Sequence, residues 1–434
     1  VMHGFGWILG IEDTCVYPHA GARMQPLDEF ELTEHNRRWR DDLKMARDLG
    51  ADSIRYGAQW PLVHTRPGRF EWGRLEERFD FAVNDLGLQV IADLVHYGTP
   101  TWLSGSFADP DYPQVVADYA GSFAARFAGL VDAVTPLNEP VTTASFCGLR
   151  GVWPPALTGW RGWTAVTLGI ARGIQSSIVA VRDANPHAQI VHVEASAIYE
   201  ADTEALSEHA RHLESIGMLP TDLLTGRVTP QHDEYAWLIE NGASAAELDD
   251  LVRNAATFDY LGVNYYPDLT PRTLTETGGA VEQHATNQWT KGLVDSVRGF
   301  IRRYESPVIV TETSIEGSDR VRGDWVDGSI DAVRRLAAGG ADVRGYTWWP
   351  MFDFIDWSYA SGGRNVEEFQ VEDRVVAART SETSSKTPFL RRMGLVRLEE
   401  QVDGSLSRVP TAAAERFALQ AKNSTPSGAA MEGH

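Results

Sequence analysis

The sequence predicts a (β/α)8 TIM barrel, an α/β fold in a single domain. Three observations carry this. Short, β-rich apolar runs alternate with helix-period segments almost from end to end, the runs number eight, and the fourth and seventh each stop on a glutamate beside small polar residues. Eight strands with helices between them are the count of a barrel built from right-handed βαβ units. No linker divides the chain, so the barrel is placed at residues 1–422, with a Ser/Gly/Ala-rich tail at 423–434 expected to fray.

The elements follow in order. His3 to Ile11 reads as strand one. From Thr33, a suitable N-cap, Trp39, Leu43, Ala46 and Leu49 recur at helical spacing until Gly50 stops the run. Ala51 to Tyr56 is strand two, and Leu75, Phe79, Ala82 and Leu86 mark a helix ending at Gly87. Leu88 to Val95 is strand three. A helix carrying Val116, Tyr119, Phe123 and Phe127 leads into strand four, around Val131 to Leu137. A Gly/Pro/Trp-rich loop, Phe146 to Trp163, precedes a long helix with Leu168, Ala171, Ile174, Ile178 and Val181 on one face. Gln189 to Ala195, Phe258 to Tyr265, Pro307 to Thr311 and Val343 to Trp349 complete the eight. The Ser/Thr-rich stretch Arg379 to Lys386 reads as a mobile loop near the mouth of the barrel.

With 60 acidic against 39 basic residues, the net charge of −21 argues against nucleic acid as a partner, because phosphates would be repelled. Two cysteines, Cys15 and Cys147, are no disulfide framework, and no Cys/His cluster has zinc-site spacing. No metal or cofactor is expected. No signal peptide and no apolar run near 18 residues is legible, so no membrane partner is expected and a cytoplasmic location is the default; a leader upstream of Val1 would be invisible. The oligomeric state is not legible.

Chemistry concentrates at strand ends. Val134-Thr135-Pro136-Leu137-Asn138-Glu139-Pro140 and Pro307-Val308-Ile309-Val310-Thr311-Glu312-Thr313 are apolar runs that stop on a carboxylate. At the C-terminal ends of barrel strands such residues point into a shared pocket. A pair of carboxylates there is what glycosidic bond cleavage needs: one protonated acid and one ionised nucleophile or base. A lone strand-end Glu is equally well a salt-bridged or solvated residue; two on one barrel point to chemistry. In Ile190-Val191-His192-Val193-Glu194, alternation puts His192 and Glu194 on one face. Glu194 is expected to face the same pocket as a substrate contact, with a structural ion pair as the alternative. Of fourteen tryptophans, Trp349 and Trp357 stand beside carboxylates after strand eight, where a flat aromatic face suits a sugar ring. For Trp153, Trp160 and Trp163 in the long loop, core packing and binding remain equal readings.

In order along the chain, these motifs resemble those of family 1 glycoside hydrolases, the β-glucosidase-like retaining enzymes. Thr135 to Pro140 is similar to the family's acid/base motif, and Val310-Thr311-Glu312-Thr313-Ser314 to its nucleophile motif, with Thr-Ser where Asn-Gly is usual. Ile54-Arg55-Tyr56 with Trp60, His96-Tyr97, Asn264-Tyr265-Tyr266, Trp349 to Trp357, and Met393-Gly394-Leu395-Val396 followed by Arg408-Val409-Pro410 match in the same order. The resemblance runs from about residue 3 to 420. It implies a retaining β-glycosidase acting on a carbohydrate or glycoside without a cofactor, with Glu312 as nucleophile and Glu139 as acid/base. It further implies Arg55 as the cation for Glu312, Tyr266 as a donor to it, and Asn138 at the sugar 2-hydroxyl. His96, Tyr97, Trp349, Asp356, Trp357 and Glu12 then fall in the sugar-binding wall.

Three departures touch that wall. Gly10-Ile11-Glu12-Asp13 stands where the family has Gln-x-Glu-Gly, Asp356 replaces a sugar-binding Glu, and Tyr97 replaces a Trp. A non-standard glycone is therefore expected. Enzymes of the family that take 6-phosphorylated sugars use basic residues after strand eight, and Ser358-Tyr359-Ala360-Ser361 offers no Lys. A pKa split is expected, with Glu139 raised and Glu312 held ionised. A transglycosylase would use the same residues; a sugar-binding pseudoenzyme would normally lack one carboxylate, and both are present.

Overall fold

Eight parallel strands close on themselves in the computed structural model, which describes residues 5–363 and 385–423. They are β1 (Gly6–Gly10), β2 (Ser53–Gly57), β3 (Gln89–Asp93), β4 (Ala133–Thr135), β5 (Gln189–Ala195), β6 (Tyr260–Asn264), β7 (Val308–Thr313) and β8 (Val343–Trp348), and β8 pairs back onto β1. Strands buried on both faces must be apolar throughout, which is why these segments read as continuous runs rather than alternating ones. Ile8, Ile91, Val191, Val193 and Ile309 fill the barrel interior. The outward residues of the same strands, such as Ile54, Val134 and Val310, join a second and larger core with the helices.

The principal helices are α1 (His35–Asp48), α2 (Gly73–Asp80), α3 (Tyr112–Phe127), α4 (Pro140–Ala144), α5 (Gly159–Ala184), α6 (Ser207–Leu224), α7 (Trp289–Tyr304), α8 (Asp319–Ala338) and α9 (Ala412–Lys422). Thr33 is not the N-cap of α1. It ends a preceding turn, Glu29–Leu32, which Asp28 caps by accepting from the Glu31 amide, and α1 starts after Glu34, whose φ is +63°. The capping oxygen belongs five residues earlier because the chain makes an extra helical turn there. α5 is long and apolar enough to cross a membrane by length and composition, which the sequence reading did not register, but 72% of its apolar window is buried inside the molecule. Burial in the outer core accounts for its composition.

Between β5 and β6 the chain inserts a short strand, Ile198–Ala201, then α6 and two short helices, Tyr235–Glu240 and Ala245–Arg253. That strand pairs with the hairpin Pro271–Thr277/Ala280–Ala285 to make a small sheet beside the barrel mouth. Residues 379–384 of the expected mobile loop, and all but the first residue of the 423–434 tail, lie outside the described residues. Ser385 and Lys386 are anchored on the Glu400 carboxylate.

Candidate active site

Two backbone irregularities aim the paired glutamates. By parity along β7, Glu312 belongs with the outward-packed Val308 and Val310, opposite Ile309 in the interior. A bulge intervenes: Val263 pairs with Val310 but Asn264 with Glu312, leaving Thr311 as an extra residue. Bulges bend a strand and re-aim its side chains. Thr311 and Glu312 both turn inward, Thr311 donating to Asn264 Oδ1 at 2.6 Å and Glu312 meeting Arg55. Glu139 stands just past β4 in the left-handed region, φ +44° and ψ +74°, a cost that surrounding structure must offset. Its amide donates to Val193 O, the preceding Asn138 amide to Val95 O, and its carbonyl accepts from the Thr143 hydroxyl, so three neighbours hold the turn.

The side chains form one directed network. Arg55, fully buried, donates to Glu312 Oε1 (2.5 Å), to Asp93 Oδ2 (2.8 Å) and to Asn138 Oδ1 (2.6 Å). Arginine has no acceptor, so Asn138 must present its oxygen to Arg55 and its Nδ2 to Tyr97 (2.8 Å) and His96 Nε2 (3.1 Å). Tyr97 then donates its hydroxyl to Glu139 Oε2 at 2.8 Å, while Asn264 Nδ2 donates to Glu139 Oε1 at 2.7 Å. Tyr266 donates to Glu312 Oε2 at 2.6 Å. Arg55 and Tyr266 thus stand where they were expected beside Glu312.

The electrostatics differ from the expected split. Burial is the largest influence on Glu312 and pushes its carboxyl up to about 8, with Glu139 adding and Arg55 opposing. The sequence pattern showed the cation but not the depth of burial that outweighs it. Burial and the nearby carboxylates hold the Tyr266 and Tyr97 phenols well above their ordinary range, so both remain donors. Burial likewise pushes Asp13 up to about 7, with His96 pulling the other way. Against burial, the carboxylates, Asp13 foremost, draw His96 well above its ordinary range. The Asn138 N–H aimed at Nε2 nonetheless leaves one ring proton, on Nδ1, 2.5 Å from Asp13 Oδ1. Glu12, Asp13 and His96 bring three ligand-type atoms within 4.8 Å of one another. They read as a side-chain cluster closed on itself, because His96 Nδ1 lies against Asp13 Oδ1 at 2.5 Å while Glu12 is taken by Thr14 (2.5 Å) and by the Trp349 indole N–H (3.0 Å).

A cavity of about 570 Å³ opens beside this network, lined by Glu12, His96, Tyr97, Glu139, Tyr266, Glu312, Trp349, Asp356 and Trp357. Trp349 fills the space over Gly10: a Cβ there would sit 1.9 Å from Trp349 Cε3, so the departure at Gly10 makes room for the indole. The ring lies parallel to His96, with the Arg55 guanidinium 4.7 Å from its centroid. Asp356 accepts from Ser358 N and Oγ and pairs with Arg391 at 3.1 Å; Arg391 also pairs with Glu316 at 2.8 Å. Trp357 packs edge-on against Tyr97 and Trp153. Trp160 and Trp163 line the cavity, whereas Trp153 packs against Tyr97.

Glu194 does not face the cavity, and that expectation is corrected. It shares its face with His192, as alternation required, but the face is the outer one: His192 Nε2 meets Thr221 Oγ1 on α6 at 2.8 Å, while Val191 and Val193 point inward. Glu194 is fully buried, accepts from the amides of Val141 (3.2 Å) and Ala195 (2.8 Å), does not line the cavity, and has no ion pair among the described residues. Burial, with the Glu139 charge adding to it, pushes its carboxyl well above the usual range.

Sequence reasoning missed Asp93 and Arg391 as members of the site, and gave Asn264 no role beyond its place in a motif. Asn264 and Asp93 close β6 and β3, so their strand-end positions carried the signal. Arg391 lies in the short strand Leu390–Arg391, with no periodic pattern to announce it.

The model of Glycosyl hydrolase family 1 matches residues 29–365, and the chain belongs to that family. It is a glycoside hydrolase. It is 24% identical over 413 residues to a bifunctional beta-D-glucosidase/beta-D-fucosidase of Bifidobacterium breve, covering 78% of this chain and 84% of the relative. It is also 24% identical over 364 residues to a beta-glucosidase of Agrobacterium sp., covering 75% and 77%. The fold is similar to that of the beta-glucosidase from Thermotoga maritima in complex with azafagomine, with a TM-score of 0.78 at 17% identity, covering 97% of this chain and 98% of that one.

Proposed function

We propose that this protein is a retaining β-glycosidase that works by double displacement on a glycone other than plain glucose. The observation that carries the reading is the pairing itself. Two buried carboxylates from β4 and β7 open into one cavity, and each of their oxygens accepts from a donor of fixed direction. Glu312 attacks the anomeric carbon as Glu139 delivers its proton to the departing oxygen; Glu139 then takes a proton from water, which displaces Glu312. Arg55 and Tyr266 oppose the burial that favours a protonated Glu312, and so keep an attacking carboxylate within reach. Asn138 is fully buried, receives Arg55 on its oxygen and gives its amide nitrogen to Tyr97 and His96, so it holds these neighbours in place and does not offer the grip on a sugar 2-hydroxyl that was expected of it.

The altered wall supports a different glycone. Trp349 occupies the space over Gly10, and Asp356 is already engaged by Ser358 and Arg391, so two positions that grip hydroxyls in relatives are recast. Proton NMR of a hydrolysis in progress tests the mechanism. The β-anomer of the released sugar appearing first supports retention, and the α-anomer appearing first overturns it.

A further inference from the structure

The hydroxyl of Tyr97 ends a chain of hydrogen bonds whose direction is set at its other end. Arg55 can only donate, so Asn138 receives it on Oδ1 and passes an N–H to the Tyr97 oxygen. With its oxygen accepting from Asn138, Tyr97 has its own O–H to give, and Glu139 Oε2 takes it at 2.8 Å. The other oxygen of Glu139 is treated alike. Asn264 accepts from Thr311 on Oδ1 and so presents Nδ2 to Oε1.

Local packing fixes this arrangement. Tyr97 is buried, sits at φ +75°, and its ring is wedged between His96, Trp153 and Trp357 at centroid distances of 4.5, 5.2 and 5.3 Å. Burial and the Glu139 charge keep the phenol protonated and therefore a donor. The Trp usual at this position in the resembled family has no hydroxyl to offer.

We propose that Tyr97 is a positioning residue for Glu139: its hydroxyl favours the carboxylate form and ties Glu139 to Glu312 through Asn138 and Arg55. The inference rests on the reading of Glu139 as acid/base. A hydrogen bond to an ionised acceptor is stronger than one to a neutral carboxyl. Tyr97 therefore acts where Glu139 is or becomes negative. That is late in the first step, when its proton has passed to the leaving oxygen. In the second step the same bond weakens, as the carboxylate takes a proton from water while the new C1–O(water) bond forms and the C1–O(Glu312) bond breaks. The same preference makes the protonated acid scarcer at high pH.

The test uses Tyr97→Phe, which keeps the ring and removes the donor, with Tyr97→Trp as a second variant should Phe not fold by circular dichroism. On a dinitrophenyl β-glycoside, whose leaving group needs little acid assistance, kcat/KM should stay within about twofold and kcat should not fall, whereas on a glycoside with a poor leaving group kcat/KM near neutral pH should fall about tenfold. On a glycoside with a poor leaving group, the alkaline limb of kcat/KM should move up by about one pH unit. Equal loss of kcat/KM on both substrates with the limb unmoved would mean that Tyr97 only packs, and would overturn the inference. Trapping wild-type enzyme with a 2-fluoro glycoside separates the two readings. If no glycosyl-enzyme forms while the substrate is turned over, the retaining mechanism falls and takes this inference with it. If the adduct forms and the variants keep the wild-type profile, only the role of Tyr97 is lost.

Discussion

Strands five and seven end alike in sequence and differently in space. Ile190-Val191-His192-Val193-Glu194 and Val308-Ile309-Val310-Thr311-Glu312 are both apolar runs closing on a glutamate, and both glutamates are buried. Along β5 the alternation is unbroken, so Glu194 stays on the outer face with His192 and holds the amide of Val141 at the start of α4. Along β7 one extra residue breaks the alternation, and Glu312 swings to Arg55 and Tyr266 in the cavity. A single bulge separates a structural carboxyl from a candidate nucleophile. Burial raises both groups, but only Glu312 has a guanidinium and a phenol working against it.

The sharpest test of that contrast is to change both residues. Glu312→Gln should cut turnover by roughly four orders of magnitude or more, since no glycosyl-enzyme can form. Glu194→Gln keeps an acceptor for the Val141 amide and should stay within about tenfold of wild type. Comparable losses in steady-state assays would erase the distinction.

Specificity comes next in size. Two recast hydroxyl contacts, each worth about 1.5–3 kcal/mol when charge-assisted, should leave p-nitrophenyl β-glucoside roughly two to four orders of magnitude below the best substrate of a broad aryl glycoside panel. A clear preference for simple glucoside or cellobiose would mean that Trp349, Asp356 and Arg391 restore the lost grip. Glu139→Ala should be severe on disaccharides and milder on nitrophenyl glycosides, with azide restoring turnover of the latter, because only a basic leaving group needs the acid. Equal loss on both substrates without azide rescue would remove Glu139 from that role.

The smallest effect concerns stability. A carboxyl raised in the folded state binds its proton more tightly there than in the unfolded chain, so its contribution is complete below the unfolded value. It is lost as pH climbs through the folded one. Glu312, at about 8 when folded, should therefore make the protein melt lower at pH 8.5 than at pH 5. Glu312→Gln should flatten that fall by roughly 2 °C or more. An unchanged slope in calorimetry would show that Glu312 is ionised throughout.

Much of the barrel was legible because strands buried on both faces cannot hide their composition. The eight runs fall on β1–β8 with ends displaced by a few residues. The Arg55 and Tyr266 contacts were legible too, since strand-end residues of one barrel must converge. What the sequence withheld is directional. Alternation tells which residues share a face, as with His192 and Glu194, but not which face is interior. Nothing in Val310-Thr311-Glu312 announces a bulge. The raised carboxyl of Glu312 was also hidden, because it depends on how deeply that residue lies. Arg391, from a two-residue strand with no pattern of its own, could be placed beside Asp356 only in three dimensions.

The central claim, that the bulge-aimed Glu312 is the nucleophile, is met most directly by mass spectrometry. The enzyme is incubated with a 2-deoxy-2-fluoro β-glycoside of its best glycone bearing a dinitrophenyl leaving group, digested and mapped. One added glycosyl group is expected, on the peptide containing Glu312. A label on the Glu139 or Glu194 peptide, or none while the parent glycoside is still turned over, would contradict it.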